Sequence, residues 1–290
     1  MLGEILVLGQ ALSYGIMNVI DAHIVKKHVQ HLIAFAAVTG IVNILFAIPL
    51  FLIFWRQAPI SATGFWIAAL GGIFFGVQTM IYYFFVQKED ISHVLGLAYV
   101  YPIFGLLIGT LFFHEQIQAI NYIGCIIAMI GIWLTVRRSV NKWRFAIPVI
   151  GLAAIIAVQE AIMNIATQSA THGISPYLAA PIQTFFMGLF LVVFLLSRKE
   201  RKHLSVELKN IKYALLAEIF TIGAALLLVL SYQYLPYVRV SFISVSQVLF
   251  VVAIEKIWSK FNPTIMQDTD LLQKFGALIT IAIGICLVLI

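Results

Sequence analysis

The sequence predicts an all-α membrane protein of ten transmembrane helices, arranged as two inverted five-helix repeats. Three observations carry that expectation. Of 290 residues, 62% are hydrophobic and only 10% charged, whereas a soluble domain carries about 25% charged residues. The apolar residues gather into ten stretches, each close to the roughly 20 residues that cross a bilayer. Residues in the two halves also match at one shared offset, Ile16-Met17-Asn18 falling on Ile162-Met163-Asn164. A mean hydropathy of +1.02 leaves too little polar surface for a water-soluble shell. In lipid each backbone polar group must be satisfied internally, so the stretches are expected to be helices.

The first span covers 3–24 and ends at Lys26-Lys27-His28. It lacks the basic start and small-residue cleavage site of a signal peptide, so it is expected to be retained. The second, 32–54, closes at Arg56 and Pro59, and the third, 64–86, at Lys88-Glu89-Asp90. The fourth, 93–113, contains Pro102, whose missing N–H predicts a kink. His114-Glu115 ends it, and the fifth, 118–136, stops at Arg137-Arg138. The sixth, 145–168, meets Thr171-His172-Gly173, and the seventh, 176–197, precedes the largest polar segment, 198–212, too short for a soluble domain. The eighth, ninth and tenth cover 212–232, 238–258 and 271–290, with Asn262-Pro263 between the last two. Cys125 and Cys286 lie inside apolar stretches and read as small hydrophobes.

The offset of 146 also places Ile73-Phe74 on Ile219-Phe220, Gln87 on Gln233 and Val94 on Val240. One offset shared by three helices predicts a first repeat over 1–137, a cytoplasmic linker over 138–143 and a second repeat over 144–290. Five spans are an odd number, so the second copy enters the membrane in the opposite sense. Secondary transporters built this way hold substrate near mid-membrane between the repeats. Of the 18 Lys and Arg residues, all but Arg56 and Arg239 lie in or beside segments that follow odd-numbered spans. Positive charge marks the cytoplasmic side, so 138–144 and 198–212 are expected inside and both termini outside. These basic residues meet lipid headgroups, and no nucleic-acid partner is expected.

The clearest local pattern reads Tyr101-Pro102-Ile103-Phe104-Gly105-Leu106-Leu107-Ile108-Gly109, then His114-Glu115, then Gly124, Ala128 and Gly131 before Arg137. It resembles the drug/metabolite transporter superfamily, in its ten-helix branch with two EamA domains. There a proline-containing fourth helix ends in Gly-Glu, and a short glycine-spaced fifth helix follows. Here His114 replaces the glycine, Gln247 sits where the second proline would be, Lys260 replaces the second acid, and the loop 261–270 is longer. The resemblance implies a multi-pass carrier of metabolites or drugs in the cytoplasmic (inner) membrane. It implies neither an enzyme nor a particular substrate. Relatives are often drawn with cytoplasmic termini; the charges of this chain predict the reverse.

An ionisable side chain deep in a spanning helix costs roughly 2.5–3.5 kcal/mol on insertion scales, so it usually faces a cavity or a partner. Glu160 is the deepest, and Asn164 and Thr167 follow it at i+4 and i+7. Tyr14, Asn18 and Asp21 make the same stripe on the first span, with Tyr14 at the offset position of Glu160. These stripes line a central cavity or else join the helices through an Asn18–Asn164 hydrogen bond. Gln78, Tyr82, Tyr99, Ser244 and Gln247 lie at suitable depth and complete the candidate solute contacts: Glu160, Asn164, Asn18, Tyr14, Gln78, Tyr82, Tyr99, Ser244 and Gln247. Glu218 is either a vestibule residue or one that reaches toward Lys212; Glu255, beside Lys256, reads as an interfacial ion pair. Gly72-x3-Gly76 and Gly105-x3-Gly109 read as close packing. His23, His28 and His31 read as a solvated interfacial cluster, not a metal site. His114-Glu115 continues into no H-E-x-x-H, and no phosphate loop, nucleophile elbow or C-x-x-C is present. No cofactor or metal is expected.

The expected function is secondary transport of a small organic solute by alternating access, with a proton or an amine as counter-ligand of Glu160. No Lys or Arg occupies a helix middle, which argues against phosphate-bearing substrates. An intramembrane enzyme would need a nucleophile–base pair that Glu160 alone does not provide, and a channel would be expected to show symmetric rings. Expected partners are the solute, membrane lipids and protons, with the chain a monomer or homodimer.

Overall fold

Ten apolar stretches separated by short polar breaks fold, in the computed structural model, into thirteen helices among the described residues. Those residues are 1–56, 61–89, 91–116, 118–136, 143–168, 173–259 and 271–289. Most of the expected linker, the breaks at Arg137-Arg138, Thr171-His172 and Asn262-Pro263, and Pro59, Asp90, Lys260 and 261–270 lie outside them. The helices are α1 Leu2–Lys27, α2 Leu32–Phe54, α3 Ala62–Lys88, α4 Ile91–Ala98, α5 Tyr101–Leu111, α6 Ala119–Val136 and α7 Trp143–Gln168. They continue with α8 Pro176–Val193, α9 Arg198–Glu207, α10 Ile211–Ser231, α11 Tyr237–Ser244, α12 Gln247–Ser259 and α13 Leu271–Leu289.

Among the described residues, seven helical stretches are long and apolar enough to cross a membrane, counting α11–α12 as one. The broken pair α4–α5, with α6 and α13, completes ten spans. Two expectations need correction. The ninth span is not one helix: a turn at Val245-Ser246 divides it. The fourth divides in the same way at Tyr99-Val100, just before Pro102. Both interruptions obey the offset of 146, so α5 and α12 begin at Tyr101 and Gln247. Val248, not Gln247, is therefore the counterpart of Pro102. The segment 198–212 is also not a plain loop, because α9 fills most of it and packs on α2.

Several principal helix pairs recur when the first five spans are exchanged for the last five. α1 packs on α10 as α7 packs on α3, and α1 meets α12 as α7 meets α5. α2 crosses α8, and α6 crosses α13, each pair mapping onto itself. The α2–α8 crossing is close because glycines face each other. A Cβ on Gly40 would stand 2.7 Å from the Gly188 carbonyl oxygen, and one on Gly188 2.6 Å from that of Gly40. Small residues admit this approach where no hydrophobic effect drives helices together.

Charged side chains fasten the two ends of the bundle. At one end the buried Glu207 accepts from the backbone N–H of Gln30 at 2.9 Å and of His31 at 2.8 Å, capping α2. His31 stacks on His203 and His28 on Tyr213. Among the described residues no three His, Cys, Asp or Glu gather as a metal site. At the other end Glu115 accepts from the backbone N–H of Tyr237 at 2.7 Å and of Val238 at 3.0 Å. That places residues 112–116 against the start of α11. His114 just before it holds φ 52°, in the left-handed region.

Candidate functional site

Helix α1 carries Gln10, Tyr14, Asn18 and Asp21 about one turn apart, a polar stripe on an apolar helix. At a rise of about 1.5 Å per residue it is roughly 16 Å long. The stripe faces a cavity of about 90 Å³ walled by both halves of the chain. From α3 come Gln78, Thr79, Tyr82 and Tyr83; from the two interruptions, Tyr99, Tyr101 and Gln247. α7 contributes Gln159 and Glu160, and α10 contributes Glu218 and Thr221. The volume holds several waters, so a larger solute requires the helices to separate.

The broken spans reach the cavity through hydrogen bonds. Ser241 on α11 donates to Glu160 at 3.1 Å, and Tyr101 donates to the Ser241 carbonyl at 3.1 Å. Tyr237 donates to the Ala157 carbonyl at 2.7 Å, one turn before Glu160. Tyr82 donates to the Asn18 carbonyl at 3.3 Å. These bonds tie α3 to α1, α5 to α11 and α11 to α7, and so link Glu160 through Ser241 to Tyr101.

The cavity contains three carboxylates, Asp21, Glu160 and Glu218, each at most 4% exposed. Among the described residues no Lys, Arg or His lines it. Asp21 Oδ1, Glu218 Oε2 and Gln78 Oε1 have no hydrogen-bond partner there, nor has Gln159 Nε2. A buried polar atom without a partner costs about 1–3 kcal/mol. The unmet acceptors are therefore places for a donor from outside the chain.

Of the residues singled out from sequence, the structure brings Glu160, Asn18, Tyr14, Gln78, Tyr82, Tyr99 and Gln247 into one cavity. It leaves out Asn164 and Ser244. Asn164 is buried one turn beyond Glu160 with Oδ1 unpartnered, so it makes no bond through that oxygen to Asn18. Ser244 donates to Gln10 at 2.9 Å. Thr167, the third residue of that stripe, donates to the Met163 carbonyl on its own helix. Glu218 faces the cavity, whereas Glu255 is buried elsewhere on α12. Sequence reasoning left Asp21, Gln10, Gln159, Tyr83, Tyr101 and Thr221 out of the set. Gln10 and Asp21 were recoverable, because they extend the Tyr14–Asn18 stripe by a turn at each end. The other four carry no periodic signal.

The model of the EamA-like transporter family matches residues 1–137. No curated protein matches the chain in sequence. A crystal structure of another protein superposes with a TM-score of 0.67 over 99% of this chain and 96% of its own, at 10% identity. A likeness at that identity shows the shared fold alone. The first 137 residues therefore match the EamA-like transporters of the drug/metabolite superfamily, and the helices of the described residues are those of a multi-pass membrane protein.

Proposed function

We propose that the chain is a secondary transporter of the cytoplasmic membrane that moves a small, amine-bearing organic solute by alternating access. One observation carries this reading: the central cavity is walled by three carboxylates and, among the described residues, by no cationic side chain. A carboxylate in a low-dielectric site needs a proton or a cation beside it. A protonated amine supplies both charge and N–H donors for the unpartnered oxygens. The tyrosines and Phe75 around the acids add aromatic faces that attract an ammonium.

In this reading residues 1–137 and 144–290 are the two inverted repeats, and the solute rests between them near mid-membrane. The helix pairs that recur on exchange and the matched interruptions of the fourth and ninth spans support it. The interruptions are where small backbone changes let one bundle rock against the other. A ligand drives that motion only through its different affinity for the two states, and protons compete for the same carboxylates. The test is thermal stabilisation of the purified protein by a panel of cationic, neutral and anionic metabolites and drugs. A true ligand raises the melting temperature in a concentration-dependent way. Stabilisation by cationic amines alone supports the proposal; stabilisation confined to anions contradicts it.

A further inference from the structure

The three carboxylates of the cavity do not form one cluster. Asp21 lies six residues before the end of α1, and Glu218 seven after the start of α10. The two helices pack together, and Asp21 is within electrostatic reach of Glu218. Both stand roughly 9–10 Å from the helix ends beside α9, taking about 1.5 Å per residue. Glu160 instead lies eight residues before the end of α7, roughly 12 Å from the opposite end of the bundle. Gln168, which ends α7, donates to the Tyr232 carbonyl on that side. Tyr14 stands between the acids, within reach of both Glu160 and Glu218.

Each anionic end is built differently. At the Glu160 end one carboxylate oxygen already accepts from Ser241. At the other end Asp21 Oδ1 and Glu218 Oε2 are both without partners, though their residues are only 3% and 2% exposed and line the cavity. The same two carboxylates also interact with neutral groups, Asp21 with Tyr83 and Glu218 with Asn43 and Thr221, which bring no positive charge. An ammonium group has three N–H donors, enough for both orphaned oxygens at once. The rest of the lining sets Phe75, Leu95, Ala98 and Tyr99 beside neutral polar groups such as Asn18 and Gln78. That suits a hydrocarbon chain and not a third charge.

Building on the amine-transport reading above, we infer that the Asp21–Glu218 end is a second cation subsite and that the preferred solute is an elongated dication. One ammonium of a linear α,ω-diamine sits at Glu160 and the other between Asp21 and Glu218. A solute with a single charge satisfies only one end.

The test compares binding of linear α,ω-diaminoalkanes with monoamines of equal chain length, and with sodium chloride alone, to the purified full-length protein. At the best chain length the wild type binds the diamine at least about tenfold more tightly than the monoamine. Asp21→Asn and Glu218→Gln each bring the diamine-to-monoamine affinity ratio down to about one. Glu160→Gln weakens both ligands. Equal binding of mono- and diamines by the wild type overturns the inference and leaves amine transport standing. So does a diamine advantage that survives both substitutions, or saturable sodium binding with no diamine advantage. Absence of binding by any amine removes both readings. Should either variant fail to fold, the wild-type comparison of the paired ligands still decides.

Discussion

The hydroxyl of Ser241 donates a 3.1 Å hydrogen bond to the carboxylate of Glu160, joining the first half of a broken span to the deepest acid of α7. Both residues are buried, and the carbonyl of the same serine accepts from Tyr101, beside the other interruption. Ser241→Ala removes the side-chain donor and leaves the carbonyl in place. An intramolecular hydrogen bond contributes about 0.5–1.5 kcal/mol, so the variant melts earlier and binds cationic solutes differently from the wild type. Unchanged melting and unchanged binding would mean that the contact does not couple the interruption to the site.

Glu115 fastens residues 112–116 to α11 through two backbone N–H groups. Glu115→Ala leaves both donors of the helix start without this acceptor, an expected cost of about 1–2 kcal/mol read as a lower melting temperature. Burial pushes the Glu115 carboxyl above the ordinary glutamate range, against the opposing pull of the bonds from Val238 and Tyr237. A raised acid holds its proton more tightly when folded than when unfolded. The wild type therefore loses stability relative to Glu115→Gln as pH rises from the usual glutamate range through the folded value, and levels off above it. Melting curves of the two proteins across that range check the sign; a relative gain for the wild type would contradict it.

His114 holds φ 52°, a conformation that costs a side-chain-bearing residue about 1–2 kcal/mol. Glycine removes that strain but adds roughly 0.5–1 kcal/mol of unfolded-state freedom. His114→Gly is expected to stabilise the protein by up to about 1 kcal/mol, read as a higher melting temperature. A clear loss would show that the imidazole makes a contact that outweighs the strain.

Orientation is tested at two exposed residues at opposite ends of the bundle, Ser205 on α9 and Gln116 beside Glu115. With Cys125 and Cys286 replaced, a cysteine at 116 is expected to react with an impermeant thiol reagent on intact cells, and one at 205 only after lysis. The reverse pattern would place the basic ends of the spans outside.

The spans and the α1 stripe were legible because hydropathy and helical periodicity report them directly. The interruption at Val245-Ser246 was not, since no proline or glycine marks it, and Ser244, Ser246 and Gln247 are tolerated inside many spanning helices. Only the structure shows that it shares its offset with the Tyr99-Val100 turn, where Pro102 gives the signal. Helix α9 escaped notice because it is polar almost throughout, so no apolar stripe separates it from a loop. Asn164 and Ser244 illustrate the remaining limit. Both have the depth of a cavity residue, but which side of a fully buried helix faces the cavity depends on neighbours that one span's sequence does not specify. The convergence of Asp21 and Glu218 likewise follows from the packing of α1 on α10.

Glu160→Gln gives the most direct test that the cavity carboxylates are the cation-binding groups of a transport site. The substitution keeps the shape of the side chain and removes its charge. In proteoliposomes holding equal amounts of folded protein, uptake of the best-stabilising amine is measured for wild type and variant across a range of pH. Losing a charge-assisted contact in a dry site is expected to weaken amine binding about tenfold or more. Uptake should collapse and lose its dependence on pH. Wild-type uptake with an unchanged pH response would contradict the account and make Glu160 a structural partner of Ser241.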